Sequence, residues 1–112
     1  MDALIRHLEH AKPLALAEQI EYAPGQVVSL TLTQRPGVGM TLFAFDAGEG
    51  ISTHAAGGDA MAHVLEGEAE ITIDHTAHQV SAGHVIIMPA GIPHAVQAVT
   101  PFKMLLTVIK EG

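Results

Sequence analysis

Gly48-Glu49-Gly50-Ile51-Ser52-Thr53-His54, running on to Gly67, and Gly83-His84-Val85-Ile86-Ile87-Met88-Pro89-Ala90-Gly91-Ile92-Pro93-His94 are the two stretches that decide the fold. Each is a strand–turn–strand block built around glycine, proline and one histidine. Glycine supplies backbone freedom at turns, and proline is kept out of central strands. Both blocks place their histidine at the start of a strand, just after a glycine-containing loop.

Outward from these blocks the chain reads as short strands. Gln26 to Gln34 alternates Val28, Leu30 and Leu32 with Ser29, Thr31 and Thr33, a period of two that fits a half-buried strand. Met40–Phe45, Met61–Leu65, Ala69–Ile73, Val85–Met88, His94–Val99 and Phe102–Ile109 follow, with Asp74-His75-Thr76 as a hairpin tip. Strands at this spacing, with glycine or proline between them, indicate an all-β sandwich or barrel. Before them, Asp2 to Lys12 reads as a short amphipathic helix: Leu4, Ile5 and Leu8 recur at helical spacing, Asp2 caps the start and Pro13 stops it. Leu14-Ala15-Leu16-Ala17 fits an extended arm or a second helical turn. The expected organisation is a helix or arm over residues 1–24 and one barrel domain over 25–112.

The two blocks resemble the signature motifs of the cupin superfamily. Against Gly, five residues, His-x-His, three or four residues, Glu, six residues, Gly, the chain places Gly48, His54-Ala55-Ala56, Ala60 and Gly67. Against Gly, five residues, Pro-x-Gly, two residues, His, three residues, Asn, it places Gly83, Pro89-Ala90-Gly91, His94 and Ala98. Every spacing fits. The resemblance covers roughly Gln26 to Ile109 and implies a double-stranded β-helix, the jelly-roll barrel of that family, which is often a homodimer. It also implies a divalent transition metal (Zn, Ni, Fe or Mn) inside the barrel. Imidazole and carboxylate donors suit such metals, and residues i and i+2 of a strand face one side. Here Ala56 stands at the second histidine position and Ala60 at the glutamate position, so only His54 and His94 remain.

Asp59, one position before the glutamate slot, is the one acidic residue between Gly50 and Glu66. It completes a two-histidine, one-carboxylate set if the Gly57-Gly58 loop lets it swing inward, and faces away if it already lies in the strand. His63 is expected on the opposite face from the ligands by strand parity. His75, His78 and His84 read as solvated. Phe43 and Phe45 share a strand face; with Met61 and Met88 turned inward they would make an apolar ligand pocket around His54 and His94, and otherwise they are barrel packing. Glu66, Glu68 and Glu70 read as a solvated acidic face.

A chain of 112 residues is one domain. It has no cysteine, hence no disulfide framework and no thiol chemistry. No serine lies in a nucleophile elbow, and no phosphate-binding glycine loop is present. A net charge of −7 argues against nucleic acid or an anionic membrane as partner. No apolar run is long enough to cross a bilayer, and no secretory signal is evident, so a cytoplasmic location is expected. The sequence therefore points to a small cupin that binds a small organic ligand, with a loosely held metal or none. The alternative is a metal-dependent enzyme, a dioxygenase, isomerase or decarboxylase acting on a small polar substrate.

Overall fold

The computed structural model describes residues 3–111. Nine strands follow one another: β1 (Val27–Arg35), β2 (Val38–Phe45), β3 (Gly50–His54), β4 (Asp59–Glu66), β5 (Glu68–Ile73), β6 (Thr76–Ser81), β7 (Val85–Met88), β8 (His94–Ala98) and β9 (Phe102–Ile109). They form a five-stranded sheet in the order β1-β2-β9-β4-β7 and a four-stranded sheet in the order β3-β8-β5-β6. Every pairing is antiparallel. The two sheets face each other as a jelly-roll barrel. None of the described helical segments is long and apolar enough to cross a membrane.

Alternation along the strands builds the interior. In β4, Ala60, Ala62 and Val64 are buried while Asp59 and Met61 are exposed. Ala69 and Ile71 of β5, Val96 and Ala98 of β8, and Phe102 and Met104 of β9 complete the same core with Phe45, Val80 and Met88. Phe45 and Phe102 are directly opposed on β2 and β9, and their rings stack at 4.5 Å between centroids. Both are fully buried. Truncating either to alanine would cost about 3–5 kcal/mol, through lost transfer energy and the cavity left behind. The outward row of β4 and β7 is also apolar. Met61 pairs with Ile87 and His63 with Val85, and Met61, Val85 and Ile87 are exposed.

The N-terminal segment is the main departure from expectation. Asp2 lies outside the described residues, and residues 3–12 are bends rather than the expected helix. His7 and Ala11 take left-handed backbone angles, φ 67° and 56°, which a helix cannot contain. One 3-10 turn, Leu16–Gln19, is the sole helical piece among the described residues. What the spacing of Leu4, Ile5 and Leu8 missed is that tertiary contacts, not helix propensity, place this arm. Leu8, Leu16, Ile20 and Tyr22 pack over Val28, Leu30, Leu32, Leu42 and Ala44 on the outer face of the larger sheet.

A polar knot locks the arm down. The buried Lys103 of β9 donates from Nζ to the Ala17 carbonyl at 2.6 Å and lies 4.8 Å over the Tyr22 ring. Tyr22 donates its hydroxyl to Glu66 Oε2 at 2.6 Å. Glu66 also sits 3.9 Å from Lys103 Nζ. Glu66 keeps a partly exposed side chain, and its carboxylate also anchors the arm. Burial and the adjacent Glu66 carboxylate both push the Tyr22 phenol pKa up.

The turns show why glycine is needed at particular places. Gly67, between β4 and β5, has φ 77°, and a Cβ there would run into the Pro101 carbonyl and Phe102. Gly67→Ala therefore combines backbone strain with a clash that neither the carbonyl nor the buried Phe102 can relieve. It should destabilise the fold by more than about 1 kcal/mol, read as a lower midpoint in urea denaturation. An unchanged midpoint would show that the bend can be made another way.

Candidate functional site

The site begins with an irregularity in β3. Ile51 opposes Val96 of β8, and His54 opposes His94. Two residues, Ser52 and Thr53, thus span the place where Ala95 alone lies on β8, which is a β-bulge. In a regular ladder Thr53 would face His94. The extra residue puts His54 there instead. His54 ends its strand, where the sequence pattern had it starting one.

The two imidazoles meet edge to face, with ring centroids 4.4 Å apart. His94 is 3% exposed and His54 is exposed, so one ring is held inside the barrel rim and the other covers it. His54 Nδ1 lies 2.9 Å from the Ser52 carbonyl, and His94 Nδ1 lies 3.2 Å from the Ile92 carbonyl. A carbonyl only accepts, so each Nδ1 carries the proton, and in the neutral ring each Nε2 keeps its lone pair. Burial first, then the neighbouring His54, lower the His94 pKa from 6.5, against the Ile92 hydrogen bond, which raises it.

The other candidate residues go elsewhere. Asp59 starts β4, exposed, and its Oδ1 accepts the Ala90 N–H at 2.9 Å. With Gly91 N–H donating to the Ala56 carbonyl at 2.9 Å, it clamps the Pro89–Pro93 loop rather than facing the histidines. Being already in the strand, it takes the outward face. Ala60, at the glutamate position, is buried and opposes Met88 and Val108, so apolar packing occupies that position. His63 shares the outward row with Met61. Met61, 38% exposed, points away from the interior and lines no pocket with the histidines. Phe45 and Met88 are packed solid in the core, with Phe43 half-buried beside them. His75, His78 and His84 are exposed.

The concavity that does reach His94 is small, about 100 Å3, and is lined by Thr53, Thr72, Asp74, His75, Pro93, His94 and Ala95, without His54. It adjoins an open groove of about 370 Å3 on the outer face of the smaller sheet, where Ser52, Glu70 and Gln97 join Thr53 and Thr72. Among the described residues no three histidine or acidic side chains converge as a metal-ligand group. The donor set thus fits two imidazoles presenting Nε2. It does not fit a closed four-ligand centre. Sequence reasoning missed Thr53 and Thr72, which carry no motif; their place depends on the bulge and on the β5–β8 register.

The direction of the His94 shift fixes a pH response. Its folded pKa lies below the unfolded value of 6.5, so the unfolded chain takes up the proton first. The associated stability is fully present above pH 6.5 and is lost as pH falls toward and through the lowered pKa. Urea midpoints should fall between pH 7 and pH 5 more steeply for the wild type than for His94→Gln. Equal slopes would contradict a buried neutral imidazole.

Comparisons with known proteins bear on the family and the fold. A family described as "Cupin domain" matches residues 41–109. The chain is similar to the conserved SPY1581 protein of unknown function from Streptococcus pyogenes, at 46% identity and TM-score 0.96 over 99% of this chain and 97% of that one. It is also similar to a cupin superfamily protein from Desulfitobacterium hafniense, at 35% identity and TM-score 0.92 over 97% and 100% of the two chains. Salicylate 1,2-dioxygenase from Pseudoaminobacter salicylatoxidans, at 18% identity and TM-score 0.70, covers 78% of this chain and 26% of its own, and shares the fold alone. No curated protein sequence gave a match. Matched in family pattern over more than half its length and in structure over nearly all of it, the chain belongs to the cupin family.

Proposed function

We propose that this cupin binds a small polar organic molecule at the rim of the barrel, with His54 and His94 as its anchor, directly or through a loosely held divalent metal. The observation that carries this reading is the pair of edge-to-face rings whose Nδ1 atoms are both tied to backbone carbonyls. Two Nε2 lone pairs are thereby held in fixed orientation. Imidazole nitrogen suits Zn, Ni, Fe or Mn, and a metal held by two of them keeps most of its coordination positions for a ligand's own oxygen donors. Thr53, Thr72 and Asp74 line the concavity that touches His94 and would contact the part of such a ligand that extends past the ring pair. The small volume favours a molecule of few heavy atoms.

The donor set supports binding over catalysis. A metal-dependent oxygenase, isomerase or decarboxylase needs its metal held firmly while substrate or dioxygen exchanges, and the carboxylate that would add a third protein ligand is absent from position 60 and otherwise engaged at Asp59.

Titration calorimetry with Mn, Fe(II), Ni or Zn salts tests this directly. At least one should bind, with affinity falling tenfold or more in His54→Ala and in His94→Ala and unchanged in His63→Ala, which lies on the outer face. Affinity should also fall as pH drops, because imidazole ligands must be neutral. Metal binding unaffected by either rim variant, or no binding of metal or of any small polar acid, would overturn the proposal.

A further inference from the structure

The chain has two arginines, Arg6 and Arg35. Both line one concavity of about 510 Å3, together with Ala3, Leu4, Thr33 and Gln34. Their convergence follows from a second β-bulge. Thr31 opposes Thr41 and Thr33 opposes Met40, so Leu32 is the extra residue of β1. Its carbonyl accepts the Arg6 N–H of the arm at 2.7 Å. That one hydrogen bond brings Arg6 alongside β1, three residues from Arg35 at the strand's end.

In a chain of net charge −7 with five cationic side chains, two guanidinium groups at one concavity are not a background of basic surface. Among the described residues no carboxylate lines the concavity. The ion pairs among the described residues, Lys12 with Glu9 and Lys103 with Glu66, use lysines and neither arginine. Guanidinium groups are always charged and present planar forks of N–H donors that match the oxygens of phosphate and carboxylate. Two of them lining one concavity repel each other, and an anion bound there relieves that repulsion while taking up their donors. We propose that the concavity between the arm and the end of β1 is a binding site for a phosphate or carboxylate group of a small anionic ligand, held by Arg6 and Arg35. It lies on the larger sheet's arm side and is separate from the His54–His94 rim.

Thermal unfolding of the full chain, with inorganic phosphate or succinate replacing chloride at constant ionic strength, tests it. A ligand that binds only the folded state raises the midpoint with its concentration. The expected result is a concentration-dependent rise with at least one of the two anions, kept in His94→Ala and lost in both Arg6→Gln and Arg35→Gln. A response to phosphate alone would assign a phosphorylated ligand, to succinate alone a carboxylic acid, and to both the shared oxyanion chemistry. Arg35→Lys, which keeps the charge and loses the fork, should weaken the response at least fivefold without abolishing it. No rise beyond that of chloride, or a rise undiminished in the glutamine variants, would overturn the site and leave two solvated arginines. Because the rim histidines are not involved, failure here would leave the rim proposal standing, and the reverse.

Discussion

The antiparallel pairing of β3 with β8, carrying one extra residue in β3, governs the character of this barrel. A sheet has a side-chain period of two, so inserting a single residue reverses the face that everything beyond it presents. Upstream of the bulge, Ile51 packs against the core; downstream, His54 meets His94. The same device acts in β1, where Leu32 steps out of register and offers its carbonyl to the arm. Both places where the arrangement can do chemistry are thus set by a local fault in an otherwise regular ladder.

The interior around the histidines is more core than cavity. With Ala60 between Met88 and Val108, and with Ala62, Ala69 and Ala98 also buried, the two inner faces meet through small side chains and a few large ones. A carboxylate at position 60 would have to be desolvated beside those apolar neighbours and would need a cation to compensate it. Alanine removes that requirement and joins the core. The polar groups left near the rim are the two imidazoles, with Thr53, Thr72 and Asp74 in the concavity that touches His94. The larger sheet needs its own cover, and the arm supplies it. Lys103, Tyr22 and Glu66 form a charge-assisted knot whose members come from β9, the arm and β4.

Much of the fold was legible in the residues. Val28, Leu30 and Leu32 alternating with Ser29, Thr31 and Thr33 marked β1, and Asp74-His75 marked the β5–β6 hairpin, where both residues take left-handed angles. The motif glycines Gly48, Gly67, Gly83 and Gly91 all have positive φ. Legibility ended where long-range contact overrides local pattern. Leu4, Ile5 and Leu8 have helical spacing, yet the arm gains more from laying Leu8 and Leu16 on the sheet than from closing helical turns. Met61 looks like any other strand methionine until β4 parity turns it outward. Glu66 looks like a surface glutamate until Tyr22, 44 residues earlier, reaches it. The juxtaposition of His54 with His94 depends on a bulge that carries no sequence signal, and the acceptors Ser52 and Ile92, which set the ring tautomers, are backbone groups that composition does not reveal.

Ligand anchoring at the rim depends on which nitrogen each imidazole leaves free. Two-dimensional long-range 1H–15N correlation on metal-free protein at pH 7.5 reads this for each ring. Both His54 and His94 should show the Nδ1–H tautomer with an unprotonated Nε2, and the His94 ring should remain neutral to lower pH than an ordinary histidine. Either ring found as the Nε2–H tautomer, or His94 charged at neutral pH, would contradict it.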